Sequence, residues 1–397
     1  MSKKIYIIAG EPSGDFIGSK LISQLNESQE DITIKFIGGD LMEKQMQAQS
    51  IKSLFPISQI AIMGFLEVIS KIFTIKKLMK ETIEDIKKFQ PDMLITIDSL
   101  GFNGRIVKEL KKLHVSVDSL QNTKFVHYVA PTVWAWKPKR AEELAKLYDY
   151  LLCLFDFEIP YFVKHGLKTF SVGHPIIESG ADKGNKEDLI KKYNLDEQKT
   201  YILLMAGSRM VEVSRLLPIF MKVANNLQDK YKNIGFIIPT LSHLKDYVEK
   251  SVATDLQNAL VITEHQEKYD AFNLSKLAIV ASGTATLELS LAQVPAVVGY
   301  KVNWLTSKIA GLLIKIKYAS IINIIANKEI IKEFIQERCT VDNLTKASIH
   351  ILNNLEKENF EKNNTKVFNI LKELGYNNFT PSLVASEIII DILNNKK

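Results

Sequence analysis

Four short stretches of this sequence set glycine beside hydroxyl, carboxylate or basic side chains, and a fifth sets tryptophans beside basic ones, the mixture that sugar and phosphate chemistry requires. In Ala9-Gly10-Glu11-Pro12-Ser13-Gly14-Asp15 the glycines permit a tight turn and let a ligand approach a helix start closely. Glu11 and Asp15 would repel a pyrophosphate and no G-x-G-x-x-G spacing is present, so sugar hydroxyls are the better guests for Glu11, Ser13, Gly14 and Asp15. A plain capped turn is the structural alternative. In Ile97-Asp98-Ser99-Leu100-Gly101-Phe102-Asn103 a carboxylate follows an apolar run. Partial desolvation there raises its proton affinity toward that of a general base, which makes Asp98 the candidate catalytic residue, with helix capping as the ordinary alternative. Asn103 is a candidate acceptor contact beside it.

A third stretch, His127 to Lys137, carries two of the chain's three tryptophans, Trp134 and Trp136, after Pro131. Their faces could stack on a sugar or cover an aliphatic chain, with Lys137, Lys139 and Arg140 left for a phosphate; His127 reads as a structural histidine. In Ala206-Gly207-Ser208-Arg209, with Glu212 further on, a glycine turn sets Gly207, Ser208 and a guanidinium at one point, which suits a diphosphate. It is not a Walker motif, since no Gly-Lys-Ser/Thr follows. In Ser282-Gly283-Thr284-Ala285-Thr286-Leu287-Glu288 the turn 282–284 offers hydroxyls and a helix start, and Glu288 lies one helical turn beyond Thr284, where a carboxylate can accept from ribose hydroxyls. Two anion-friendly turns make that half of the chain a nucleotide site. The seven histidines are scattered, and no Cys-x-x-Cys, His-Glu-x-x-His or Asp-x-Asp pattern occurs. No metal is therefore expected, and arginine with helix dipoles must neutralise a leaving phosphate.

The elements that must position these residues follow from hydrophobic period. Short Ile- and Val-rich runs at Ile5–Ala9, Ile34–Ile37, Met93–Ile97, Lys124–Val129, Tyr150–Leu154 and Thr169–Val172 read as strands buried on both faces. Between them the spacing changes to that of helices, as at Ile17, Leu21 and Leu25. The same alternation restarts at Tyr201–Met205, Gly235–Pro239, Leu260–Thr263, Leu277–Ala281 and Ala296–Gly299, and from Lys301 onward the pattern is helical. Strand–helix alternation predicts mostly parallel sheets with right-handed crossovers. Gly173-His174-Pro175 and the polar stretch Glu178 to Asp188 separate the two series as the expected hinge. Two α/β halves joined there would face each other across a cleft, with the carboxyl ends of both sheets lining it.

Composition narrows the classes. With 397 residues, 46% hydrophobic and 24% charged, the chain has enough apolar mass for two cores, which excludes disorder as its dominant state. Cys153 and Cys339 alone cannot make a disulfide scaffold and read as structural thiols in a reducing compartment. No apolar stretch reaches the roughly 18 residues of a spanning helix, and the N-terminal run is too short for a signal peptide, so a cytoplasmic protein is expected. A net charge of +6 does not select a partner. Ile60–Met79, with Phe65, Leu66, Ile69, Phe73 and Lys71, Lys76 and Lys77, is too apolar for an exposed helix and too charged to span. Residues 301–332 hold six Lys against one Glu among Trp304, Leu305, Leu312 and Leu313. Both stretches fit a surface that meets anionic lipid headgroups, and core helices with snorkelling lysines fit equally.

AGEPSGD, APTVWAW, Gly173-His174-Pro175, the Gly-Ser-Arg turn and SGTATLE, in this order, resemble the lipid-A-disaccharide synthase family over roughly residues 4 to 340. The resemblance implies a metal-independent, inverting glycosyltransferase of the GT-B type. Its fold would be α/β, with two Rossmann-like domains facing across a cleft: residues 1–175 for the acceptor, 176–365 for the UDP-sugar, and a helical segment 366–397 returning to the first. It further implies condensation of UDP-2,3-diacylglucosamine with 2,3-diacylglucosamine 1-phosphate to lipid A disaccharide 1-phosphate and UDP. Peripheral contact with the cytoplasmic face of a Gram-negative inner membrane follows, with no cofactor, since the UDP-sugar is a substrate, and no nucleic acid; a homodimer stays open. By the same resemblance Asp98 matches a base for the acceptor 6-hydroxyl, Glu11, Ser13 and Asp15 an acceptor loop, and Arg209, Ser282, Thr284, Glu288 and Asn323 positions around UDP. Gly101, Ala206, Ile322 and Asn327 depart from the family's usual Asp, Pro, Pro and Gly, and Gly101 removes a second carboxylate from the Asp98 loop. The rival readings are a UDP-N-acetylglucosamine 2-epimerase or soluble glycosyltransferase, which need no lipid-facing surface, and a non-catalytic membrane-associated nucleotide-sugar sensor.

Overall fold

A computed structural model describes residues 2–60, 72–114, 120, 122–135, 137–256, 259–301, 317–354 and 358–395. The chain divides into two compact units, Met1–Pro175 with Phe379–Lys397, and Ile176–Asn378.

The first unit holds six parallel strands: β1 (Lys3–Ala9), β2 (Ile32–Ile37), β3 (Met93–Ile97), β4 (Lys124–Tyr128), β5 (Tyr150–Cys153) and β6 (Lys168–Ser171). Their order is β2-β1-β3-β4-β5-β6, so the order in which strands are added reverses between β1 and β3, which pair in parallel from Ile5↔Met93 to Ala9↔Ile97. The apolar runs form strands because both faces are covered. Tyr6 and Ile8 pack with Leu94 and Phe125 on one side, and Ile5, Ile7 and Ala9 with Ile95 and Val126 on the other. The latter core takes in Ile17, Leu21 and Leu25 of the helix Pro12–Glu27, together with Ala385, Ile389 and Ile392 of the last helix, Pro381–Asn394. The C-terminal helix therefore completes the first unit. The helix Glu358–Glu373 does not: the segment expected to return as a whole from residue 366 stays with the second unit up to Asn378.

In the second unit β7 (Thr200–Met205), β8 (Ile234–Pro239), β9 (Leu260–Ile262), β10 (Ser275–Ala281), β11 (Ala296–Tyr300) and β12 (Lys332–Ile335) form a parallel sheet ordered β12-β11-β10-β7-β8-β9. In chain order this is the 3-2-1-4-5-6 arrangement, with the reversal between β7 and β10. The strand β12 corrects the expectation that everything past Lys301 is helical. Its Lys332-Glu333-Phe334-Ile335 hides as a strand because charges interrupt it, as suits an edge. Glu333 is nevertheless buried, accepting the Ala319 N–H at 2.8 Å and the Ser320 N–H at 2.7 Å. The polar stretch after Pro175 is fastened to this unit, because the Asn185 N–H donates to Asp270 at 2.8 Å.

Both cysteines are buried and unpaired, and burial pushes the Cys153 thiol up to about 12, which leaves it inert. Among the described residues no helix is long and apolar enough to cross a membrane. The two stretches expected at a lipid surface lie in part outside the described residues, at 61–71 and 302–316. Of the first stretch, Leu78 is a core residue and Phe73 is 82% exposed.

Candidate active site

In open parallel sheets ligands bind at the carboxyl ends of strands, where the strand order reverses. In the first unit that point lies between the turn after β1 and the turn after β3, and the two are in contact. A Cβ on Gly10 would overlap the Cβ of Ser99 and come within 2.5 Å of its Oγ, so only glycine lets them close. Asp98 and Ser99 both take left-handed backbone, with φ of 49° and 46°. Such conformations each cost of order 1 kcal/mol and persist only where surrounding bonds impose them. Here the Asp98 N–H donates to the Tyr128 carbonyl at 2.9 Å, and the Asn103 amide donates to the carbonyls of Ile97 (3.2 Å) and Asp98 (2.9 Å). The Asp98 carboxylate accepts its neighbour's N–H, from Ser99, at 2.7 Å. Half-buried, it has its proton affinity raised by desolvation, against the smaller lowering effect of that N–H.

Not every expected acceptor residue reaches an open surface. Asn103 is fully buried and acts through the backbone that carries Asp98, which corrects its assignment as a contact. Asp15 is likewise turned inward: its carboxylate accepts the N–H groups of Gly39 (2.7 Å), Leu41 (3.1 Å) and Met42 (3.1 Å), capping the helix Asp40–Gln45. Gly14 is buried against Ala9 and Ile97. The solvent-facing part of the motif is the half-buried Glu11 with exposed Pro12 and Ser13.

The turn after β4 adds an aromatic wall. Val129 takes φ of 77°, unusual for a β-branched residue, and the chain continues to half-buried Trp134. The Trp134 indole donates to Glu158 at 3.3 Å and packs edge-on to Phe157, which stacks on Phe155. Burial raises Glu158 to about 7, opposed by the Trp134 and Phe155 N–H groups. Trp136 lies outside the described residues. His127 is fully buried, bonded through Nδ1 to Thr96 at 2.8 Å, and burial lowers it to about 3, so it is a neutral structural group.

In the second unit the reversal lies between the turns after β7 and β10, where both expected phosphate turns stand. Gly207 takes φ of 117°, and a Cβ there would meet Glu212 Oε2 at 2.6 Å and its Cβ at 2.8 Å. Glu212 folds back over the turn, accepting the Ser208 N–H at 3.3 Å and pairing with Arg209 at 3.6 Å. Ser208 and Arg209 are exposed, and the helix Met210–Lys230 begins without a side-chain cap. An incoming anion would meet the guanidinium and that bare helix start. After β10, Gly283 and Thr284 are exposed, while Ser282 Oγ donates to the Ala319 carbonyl at 2.9 Å. Glu288, 8% exposed, is bonded through Oε1 to Lys268 at 2.8 Å and to the Tyr269 hydroxyl at 3.0 Å. Asn323 is not part of this surface. Fully buried, it donates to the Ile331 carbonyl and accepts the Ile330 and Ile331 N–H groups at 2.7 and 2.9 Å, stapling the start of β12.

Lys268 and Tyr269 gave no signal in the sequence. They sit after the edge strand β9 and meet Glu288 only because the helix His265–Leu274 crosses back beneath the sheet. Among the described residues no group of three His, Cys, Asp or Glu is placed to hold a metal.

A family model described as lipid-A-disaccharide synthetase matches residues 5–386. The lipid-A-disaccharide synthase of Rickettsia prowazekii (strain Madrid E) is 42% identical over 389 residues, covering 98% of each chain. The chain belongs to this family. The lipid-A-disaccharide synthase of Gluconobacter oxydans (strain 621H) is 35% identical over 98% of this chain and 91% of its own. Among solved structures, a UDP-GlcNAc 2-epimerase of Neisseria meningitidis superposes with a TM-score of 0.62 at 14% identity, covering 98% of this chain and 99% of its own. A glycosyltransferase of Rickettsia africae ESF-5 superposes with a TM-score of 0.59 at 12% identity, covering 100% of each. These likenesses show the fold, two parallel α/β units of the GT-B type, while the family membership separates this chain from the epimerases. As a lipid-A-disaccharide synthase family member it is a glycosyltransferase of lipid A disaccharide synthesis, using sugar-nucleotide and lipid-phosphate substrates.

Proposed function

We propose that the chain transfers a diacylglucosamine unit from UDP-2,3-diacylglucosamine to the 6-hydroxyl of 2,3-diacylglucosamine 1-phosphate, giving lipid A disaccharide 1-phosphate and UDP. The observation that carries this is the placement of one half-buried carboxylate, Asp98, at the strand reversal of the first unit, and of an exposed arginine, Arg209, at that of the second. Asp98 removes the hydroxyl proton as the acceptor oxygen bonds to the anomeric carbon and the bond from that carbon to the diphosphate breaks. Single displacement inverts the centre. Desolvation suits Asp98 to this role, because it lifts the carboxyl toward working pH. Arg209, with the uncapped start of the helix Met210–Lys230 and the exposed Gly283–Thr284 turn, neutralises the departing UDP. Glu288 accepts from the ribose hydroxyls. Glu11, Ser13 and the Trp134 wall line the acceptor side, with Asn103 and Asp15 behind them holding the turns in place. No cofactor is assigned.

The acyl chains of both substrates call for a lipid-facing surface, which we assign to the part of the stretch 60–79 that carries the exposed Phe73, and hence to peripheral contact with the cytoplasmic face of an inner membrane. The test is incubation of the purified protein with the two monosaccharide lipids and mass analysis of the products. A disaccharide phosphate with equimolar UDP supports the reading. Epimerised UDP-sugar without disaccharide, or UDP binding without release, would overturn it.

A further inference from the structure

Glu288 is a buried charge beside the second unit's strand reversal, and its two oxygens are treated differently. Oε1 takes both bonds the protein supplies, from Lys268 Nζ at 2.8 Å and from Tyr269 Oη at 3.0 Å. Oε2 has no bond of its own among the described residues. Lys268 lies over the Tyr269 ring at 4.7 Å, so ammonium, ring and carboxylate form one packed set. The tyrosine has a single proton, which it donates to Glu288; its oxygen also lies 3.3 Å from His265 Nε2 and is bonded to the Ser179 hydroxyl. Consecutive residues 268 and 269 thus clamp one oxygen of a side chain on another helix. Their own helix is fixed in turn. Asp270 accepts the Asn185 N–H and the Gln266 amide, at 2.8 and 3.0 Å, and any side chain on Gly184 would collide with the Tyr269 carbonyl.

A carboxylate this buried needs a cation beside it, but charge neutralisation alone would not require both donors on the same oxygen. We propose that Lys268 and Tyr269 are positioning residues that lock Glu288 by its Oε1, so that Oε2 is presented, pre-oriented, to a vicinal diol of the sugar nucleotide. This rests on the reading of Glu288 as the ribose-binding carboxylate. A locked carboxylate pays no ordering entropy when the hydroxyls arrive, and it discriminates against a sugar that lacks one of them, since the unpaired oxygen would then be buried without a partner.

Discrimination between UDP and 2′-deoxy-UDP, measured calorimetrically on the full chain, tests the proposal. The wild type prefers UDP. Lys268→Met and Tyr269→Phe are expected to reduce that preference about fivefold or more, whereas Lys268→Arg, which retains a donor at this distance, restores it. In the transfer reaction Lys268→Met raises KM for the sugar nucleotide with little change in kcat. If both variants keep the wild-type preference while Glu288→Gln loses it, Glu288 reads the ribose unaided and the positioning role is overturned. If Glu288→Gln keeps the preference as well, the ribose reading falls, and this inference with it. Equal weakening of UDP, 2′-deoxy-UDP and inorganic pyrophosphate by Lys268→Met would make Lys268 a direct phosphate contact and also overturn it. Should Lys268→Met fail to fold, Tyr269→Phe and Lys268→Arg carry the same comparison.

Discussion

Replacing Gly10 by alanine should damage the site through Ser99 alone. The new Cβ would overlap the Ser99 Cβ and stand 2.5 Å from its Oγ, well inside any allowed contact. Ser99 has no easy retreat. Its φ of 46° is already left-handed, Asp98 before it is held at 49°, and the Ser99 carbonyl accepts from Phe102 and Asn103 at 3.1 Å each. Overpacking of this kind costs about 1–3 kcal/mol, and the strain falls on the turn that aims Asp98, where a displacement near 1 Å can lower turnover about a hundredfold. Ser99→Gly removes both colliding atoms and the left-handed penalty of about 1 kcal/mol, at a similar entropic cost, so alone it should be nearly neutral. In the Gly10→Ala background it should restore most of the stability and turnover, giving a coupling of about 1–3 kcal/mol. Urea unfolding followed by tryptophan fluorescence, with UDP release measured on the same samples, reads both quantities. A Gly10→Ala protein of undiminished stability and turnover, or one that Ser99→Gly does not rescue, would refute the reasoning.

Asp15→Ala should lower the stability of the first unit by about 2 kcal/mol, because three backbone N–H groups lose their shared acceptor, while turnover per folded molecule is largely kept. Loss of turnover without loss of stability would return Asp15 to the acceptor surface. Glu158 is raised from 4.5 to about 7 by burial, so between those values the folded protein holds a proton that the unfolded chain has released. Its contribution therefore declines as pH rises from about 4.5 through 7, by up to about 3 kcal/mol at about 1.4 kcal/mol per pH unit. His127 and His174, lowered to about 3 and about 4, act in the opposite sense below 6.5, so the quantity to measure is the wild-type stability minus that of Glu158→Gln across this range. A flat difference would show that the Glu158 carboxyl is not held protonated.

Most of the architecture could be read from apolar runs of Ile, Leu and Val, because a strand buried on both faces needs little else. The exception, β12, hides a buried Glu333 whose worth lies in the N–H groups of Ala319 and Ser320, contacts that no local pattern announces. The strand-end turns were legible for the same reason that they mislead. A short polar residue after a strand suits a ligand and suits a loose backbone group equally. Asp98 and Arg209 keep their polar groups near solvent, whereas the Asp15 carboxylate, the Asn103 NH2 group and the Asn323 amide are committed to the main chain, and only the tertiary arrangement separates the two cases. Lys268 was invisible because its partner lies twenty residues away on another helix.

The most direct test of the proposed chemistry is Asp98→Asn, measured for UDP affinity and for disaccharide formation on one preparation. The side chain stays similar in size and keeps an oxygen to accept the Ser99 N–H, so the turn should hold. With no basic carboxylate to take the hydroxyl proton, turnover should fall by about 10²–10⁴ while UDP binds as before. Disaccharide formation near the wild-type rate would contradict the account.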